Sequence, residues 1–219
     1  MGVIRVVFFD AGGTLLAPAE PIGKTYARIA ASHGWQGDEE RFEKGFRMAW
    51  KKRREEGADG TLGKEGWKRI VHQSAQMAQM PVDFSFSNYF EEVYEAFARP
   101  QAWRDFPETG EVVQAIWKKG VRVGLLSNWD PRLRTVLSGF SWAKELDPIL
   151  ISEEWGMEKP NAGFFRKAEE VVGVRPEECA LIGDDPRSDL EGAQGAGWRC
   201  SLVDRPDRGL WEALEDLRL

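Results

Sequence analysis

The sequence is short of the residues that most often carry metal, redox or pH chemistry. It holds two cysteines and two histidines among 219 residues. Cys179 and Cys200 each head an apolar run, CALIG and CSLV, and read as core thiols. A disulfide framework or a cysteine metal site needs more cysteines or a paired spacing. His33 and His72 fall in helical patterns and read as structural or exposed. Positive charge is not in surplus. The formal net charge is −6, without the basic footprint of a nucleic-acid binder, so an anionic ligand would be held by a local site rather than a global field. No apolar stretch approaches the roughly 18 residues of a bilayer span. The opening, MGVIRVVFFDAGG, runs from a short apolar segment straight into a turn, unlike a signal peptide. The expectation is a protein of a reducing compartment, the cytoplasm, with neither nucleic acid nor membrane as partner.

What is present suffices for one large domain, or for a domain with an insertion. Five short apolar runs stand out: VIRVVFF (3–9), VRVGLL (121–126), PILI (148–151), CALIG (179–183) and CSLV (200–203). Near-continuous apolarity marks strands buried on both faces, and helical stretches separate most of them. The fold class expected is therefore α/β, a Rossmann-like parallel sheet with right-handed crossovers. Thr109, Asp130-Pro131 and Asn161 read as helix starts, with Gly120 as a C-terminal stop. More than a hundred residues separate the first two strands. Their patterns are helical: KTYARIAASHG, EERFEKGFRMAWKKRREEG, KEGWKRIVHQSAQMAQM and SNYFEEVYEAFAR. Residues 17–96 are expected to form an inserted, all-helical second domain, and 1–16 with 97–219 the core. The basic run WKKRREE reads as a solvated helix face with i,i+4 pairing.

Ligands of an open parallel sheet bind beyond the carboxyl ends of its strands. The first run ends in Asp10, the second in Ser127 and Asn128, the fourth in Asp184 and Asp185; Lys159 lies in EEWGMEKPN after the third. Each alone is ordinary turn, cap or surface chemistry. Together, two carboxylates suit a hard cation such as Mg²⁺. A lysine, a hydroxyl and helix-start amides suit phosphate oxygens, and an aspartate beside both is positioned as a covalent nucleophile.

The same residues resemble the motifs of the haloacid dehalogenase superfamily of hydrolases, most of which are phosphatases. FFDAGGTL resembles the first motif through Asp10 and Thr14, and LLSNWD the second through Ser127. MEKPNAGFF resembles the third through Lys159, and IGDDPRSDLEGAQGAGW the fourth through Asp184 and Asp189. The stretches PIGKTYARIAASHG and SNWDPRLRTVL resemble one group within it, haloacid dehalogenase-like hydrolase domain-containing protein 3.

The resemblance implies a small phosphorylated substrate and an aspartyl-phosphate on Asp10. It implies Mg²⁺ held by Asp10, the Gly12 carbonyl and Asp184. Ser127 and Lys159 would hold the phosphoryl group, helped by the backbone amides after Asp10 and at Asn128 and with Thr14 on the substrate side. Asp185 or Asp189 would lie behind the metal or supply a water bound to it. One residue departs from the pattern. Typical phosphatases of the superfamily carry a second aspartate where this chain has Gly12, and such general acid–base help is worth ~10²–10⁴-fold. Branches that cleave carbon–halogen or carbon–phosphorus bonds, and a weakly catalytic binding protein, stay open as alternatives. Of the ten tryptophans, most read as packing; Trp129, next to Ser127 and Asn128, is the one expected to touch substrate.

Overall fold

The computed structural model describes residues 2–56, 61–81 and 85–219. Gly57, the last residue of the helical pattern EERFEKGFRMAWKKRREEG, lies outside them. The first apolar run folds as β1 (Val6–Phe9), every residue of it buried. The chain leaves through β2 (Leu16–Pro18) and forms α1 (Ile22–Ser32), α2 (Glu39–Glu56), α3 (Gly63–Met77) and α4 (Phe86–Ala96). It returns through β3 (Trp103–Asp105) to α5 (Thr109–Lys118), β4 (Arg122–Ser127) and α6 (Arg132–Leu137). Then come β5 (Leu146–Ile151), α7 (Ser152–Trp155), α8 (Ala162–Val172) and β6 (Cys179–Gly183). A wide helical turn at Pro186–Glu191 leads into α9 (Gly192–Gly195), β7 (Arg199–Leu202) and α10 (Leu210–Asp216).

The five apolar runs make one sheet of order β5-β4-β1-β6-β7. All its pairings are parallel: Val6 lies opposite Arg122 of β4 on one side and Cys179 of β6 on the other. β1 is thus the central strand, which is why VVFF has no polar face. Phe8 stacks on Trp198 with ring centroids 5.1 Å apart, and Phe165 meets that indole edge-on at 5.2 Å. Burial of such flat apolar faces holds helices against the sheet.

The chain divides into two compact units, Met1–Ala17 with Asp105–Leu219, and Pro18–Arg104. Residues 97–104, expected in the core, group with the helical unit. The Ala19 N–H donates to Ala102 O at 2.8 Å, and Trp103 Nε1 donates to Phe97 O at 3.1 Å, which ties the return segment to the helices. The strand pair β2-β3 has no signal in the sequence, because LAP and WRD offer no apolar run. The helical unit has its own core of Tyr26, Phe42, Tyr89 and Phe90. Trp35 packs on Phe42, and Phe46, Trp50 and Trp67 stack in a row. His33 bonds Glu92 at 2.8 Å and His72 packs against Phe86, both structural roles. Within WKKRREE, Lys51 and Glu55 form an exposed i,i+4 pair. Among the described residues, no helix is long and apolar enough to cross a membrane.

Two helix starts differ from expectation. Thr109 is not a cap: it is the first residue of α5, and its hydroxyl donates to Leu15 O at 3.1 Å. Pro131, not Asp130, occupies the N-cap of α6, although the Asp130 carboxylate still accepts from the Arg132 N–H. Asn161 does cap α8, accepting from Gly163 N at 2.7 Å. Cys179 is buried and Cys200 half-buried, both unpaired; burial pushes each thiol up to about 12, so neither is a thiolate at neutral pH.

Candidate active site

Asp10 follows the last residue of β1, and its N–H continues the ladder onto Ile182 O at 2.9 Å. The strand then breaks into a tight loop. The N–H groups of Leu15 and Leu16 both donate to Ala11 O, and Gly13 N donates to Leu16 O at 2.8 Å. Gly13 adopts φ +81°, and a Cβ there would lie 2.5 Å from Asp184 Oδ2. Only glycine both takes this conformation and lets the Asp184 carboxylate rest against the loop. The ends of β1 and β6 are brought together in this way.

The centre of the cluster is Lys159, 2% exposed despite its charge. Its Nζ donates to Asp10 Oδ1 at 2.7 Å and to Asp189 Oδ1 at 2.6 Å. Ser127 Oγ donates to the same Asp10 oxygen at 3.0 Å. Three segments distant in sequence therefore meet around the Asp10 carboxylate, and Lys159 links them to a fourth through Asp189. Asp189 accepts on its other oxygen from the N–H groups of Asp184 and Asp185, each at 3.0 Å. It sits so tightly below β6 that a Cβ on Gly183 would fall 2.2 Å from its carboxylate carbon. Asp185 acts differently. Its Oδ1 accepts from Arg187 N and Ser188 N at 2.8 Å and caps the wide turn. Of the two acids that the motif leaves open, Asp189 is the one in contact with Lys159.

Burial pulls the Lys159 ammonium down, but Asp10 and Asp189 outweigh it and hold the amine above its usual range. Burial pushes the Asp10 carboxyl up; Lys159 pulls it down and Asp189 pushes it up again, with the net upward. The arrangement is one buried cation shared by two carboxylates, a set stable only while all three are present.

One expected substrate contact, Thr14, sits elsewhere, and the side chain of another, Asn128, has a task of its own beside the backbone amide expected to meet phosphate. The Asn128 side chain is spent on the main chain of Lys159: Nδ2 donates to Lys159 O and Oδ1 accepts from Lys159 N, both at 2.8 Å. It orients the lysine. The Thr14 hydroxyl is fully buried and has no hydrogen-bond partner among the described residues, so it does not reach the cluster. Its carbonyl accepts from Arg205 Nη2 at 3.2 Å. Arg205 also pairs with Glu108 at 2.6 Å and lies over the Phe106 ring. No motif marks Arg205, because it lies 191 residues from its partner in the loop.

Among the described residues there is no group of three or more His, Cys, Asp or Glu side chains able to hold a metal. The expected set offers only two carboxylates, Asp10 and Asp184, and the Gly12 carbonyl. That donor set fits magnesium, which is commonly bound through one or two carboxylates and completes its shell with water and substrate oxygens. The contact of Asp184 with the Gly13 backbone keeps this carboxylate beside the loop that carries Gly12.

The family model described as haloacid dehalogenase-like hydrolase matches residues 4–197. The mouse haloacid dehalogenase-like hydrolase domain-containing protein 3 is 27% identical over 205 residues, 91% of this chain and 82% of that protein. A phosphoserine phosphatase of Thermus thermophilus is 39% identical over 134 residues, 58% of this chain and 53% of that protein. Among solved structures, a defluorinating L-2-haloacid dehalogenase superposes with a TM-score of 0.74 at 23% identity, over 93% of this chain and 82% of that one. The last likeness is one of fold.

Proposed function

Since the chain belongs to the haloacid dehalogenase-like hydrolase family, we propose that it is a magnesium-dependent phosphohydrolase of a small phosphorylated molecule, with Asp10 as the nucleophile. The observation that carries this reading is the bridge of Lys159 from Asp10 to Asp189, with Ser127 on the same Asp10 oxygen. A carboxylate with a fixed cation and a hydroxyl donor on one side is built to face a group that is itself anionic. A phosphoryl oxygen beside Asp10 meets the same two donors.

Asp10 and Asp184, with the Gly12 carbonyl, would hold Mg²⁺, which supplies positive charge against the anionic phosphoryl group. The chain's own residues do the rest. Asp10 forms the bond to phosphorus. Lys159 offsets charge on the transferring oxygens and is kept in place by Asp189 and by the Asn128 amide. Ser127 donates a hydrogen bond. Asp185 acts one step back, by fixing the turn that presents Asp189. A cytoplasmic setting belongs to the same reading and is supported by the two unpaired cysteines.

The test is phosphate release from acetyl phosphate and p-nitrophenyl phosphate, with Mg²⁺ and with EDTA, by the native protein and by Asp10→Asn. Release that needs both metal and Asp10 supports the reading. Halide release from 2-chloropropionate without metal, with no phosphate release, replaces it with a dehalogenase.

A further inference from the structure

Trp129 follows Ser127 and Asn128, and its backbone is pinned from both sides. Its N–H donates to Ser152 Oγ and to Ser127 O, each at 3.1 Å. Its carbonyl accepts from Ser152 Oγ at 3.0 Å and Glu153 N at 3.2 Å. The half-buried ring crosses from the end of β4 to the loop after β1. A Cβ on Gly12 would lie 3.3 Å from Trp129 Cζ3 and 4.0 Å from Cη2. The atoms turned to position 12 thus belong to the six-membered carbon edge, not to the indole nitrogen. The space a side chain at position 12 would enter, two residues beyond Asp10, is bounded by aromatic carbon. Glycine and tryptophan are a matched pair there.

A carbon edge cannot give a proton to a leaving oxygen, and Gly12 has no side chain to do so. It can stack against a planar group. We propose that Trp129 is a specificity-determining residue of this site, and that the Gly12–Trp129 pair selects substrates whose leaving oxygen departs as a stabilised anion: aryl and acyl phosphates. The inference rests on the phosphohydrolase reading above. In the first step an Asp10 oxygen bonds to phosphorus as the bond from phosphorus to the leaving oxygen breaks. The electron pair stays on that oxygen, which leaves as a phenolate or carboxylate and takes no proton. Water then adds to phosphorus, the bond to Asp10 breaks, and both protons of the water leave with inorganic phosphate. Aspartyl phosphate is itself an acyl phosphate, so the second step meets the same leaving-group rule.

The experiment compares kcat and KM for acetyl phosphate, substituted phenyl phosphates and ethyl phosphate in the native protein, Trp129→Ala, Trp129→Phe and Gly12→Asp/Trp129→Ala. In parallel, calorimetry follows phenylphosphonate and methylphosphonate, which are not turned over, binding in Mg²⁺. The native protein is expected to favour acetyl and p-nitrophenyl phosphates over ethyl phosphate by ~10²-fold or more in kcat/KM. Trp129→Ala should weaken phenylphosphonate relative to methylphosphonate by about three- to tenfold, the worth of an aromatic pair, and Trp129→Phe should restore most of it. The double variant should narrow the gap between aryl and ethyl phosphate. Ethyl phosphate turned over as well as aryl phosphates, or a phenyl-to-methyl ratio untouched by Trp129→Ala, overturns the pairing while Asp10-dependent activity keeps the phosphohydrolase. No Asp10-dependent phosphate release from any compound overturns both.

Discussion

At Lys159, charge, burial and position cannot be separated. The buried side chain lies between Asp10 and Asp189, so removing the cation leaves two acids facing the same site without their shared positive charge. Lys159→Met should destabilise the fold by about 3–5 kcal/mol, the range for breaking a buried pair from one side. Lys159→Met/Asp189→Asn should recover part of that loss, and denaturant titration of both variants measures it. The lysine was legible in the sequence from its place after the third strand; its bridging geometry was not. Nothing local to MEKPN says that the ammonium points inward, because the two carboxylates that hold it come from segments 149 and 30 residues away. The same distance effect misassigned the Thr14 hydroxyl and hid the task of the Asn128 side chain. Their residue types suit phosphate, but one amide is taken by the Lys159 backbone and one hydroxyl is turned into the core.

At the level of elements, the five strands were readable because strands buried on both faces leave continuous apolar runs. The pair β2-β3 left none, having three residues in each strand. Helix starts were readable only where the cap is a side-chain bond, as at Asn161; at Thr109 the hydroxyl serves another segment. The start of α5 also carries a pH dependence. Burial pushes the Glu108 carboxyl up, but backbone N–H groups and Arg205 prevail and hold it below 4.5. A carboxyl lowered in the folded state contributes stability above its unfolded value and loses it as pH falls through the folded one. The contribution of the Glu108–Arg205 pair should thus be whole at neutral pH and fade below about pH 4.5. In Arg205→Gln this acid-side slope should flatten, as read from thermal melts at a series of pH values.

For the molecule as a whole, the two units have separate cores, and the chain crosses between them only at 17–18 and 104–105. The crossing segments pair as β2-β3, so the two crossings lie a strand spacing apart, roughly 5 Å. Replacing residues 20–101 with a short glycine turn should leave a folded α/β core with its sheet intact. Circular dichroism and a cooperative melt would show it; an unfolded product would mean that the core needs the helices. The central place of β1 also has a cost in time. It is synthesised before the other strands of the sheet, yet β4 and β6, its neighbours on either side, follow more than a hundred residues later. At the pace of a ribosome, VVFF waits ~5–20 s for a partner. Meanwhile the helical segment is complete and free to collapse locally. The fully buried central strand waits longest for a partner, and the nascent chain is exposed to aggregation while its helices already fold.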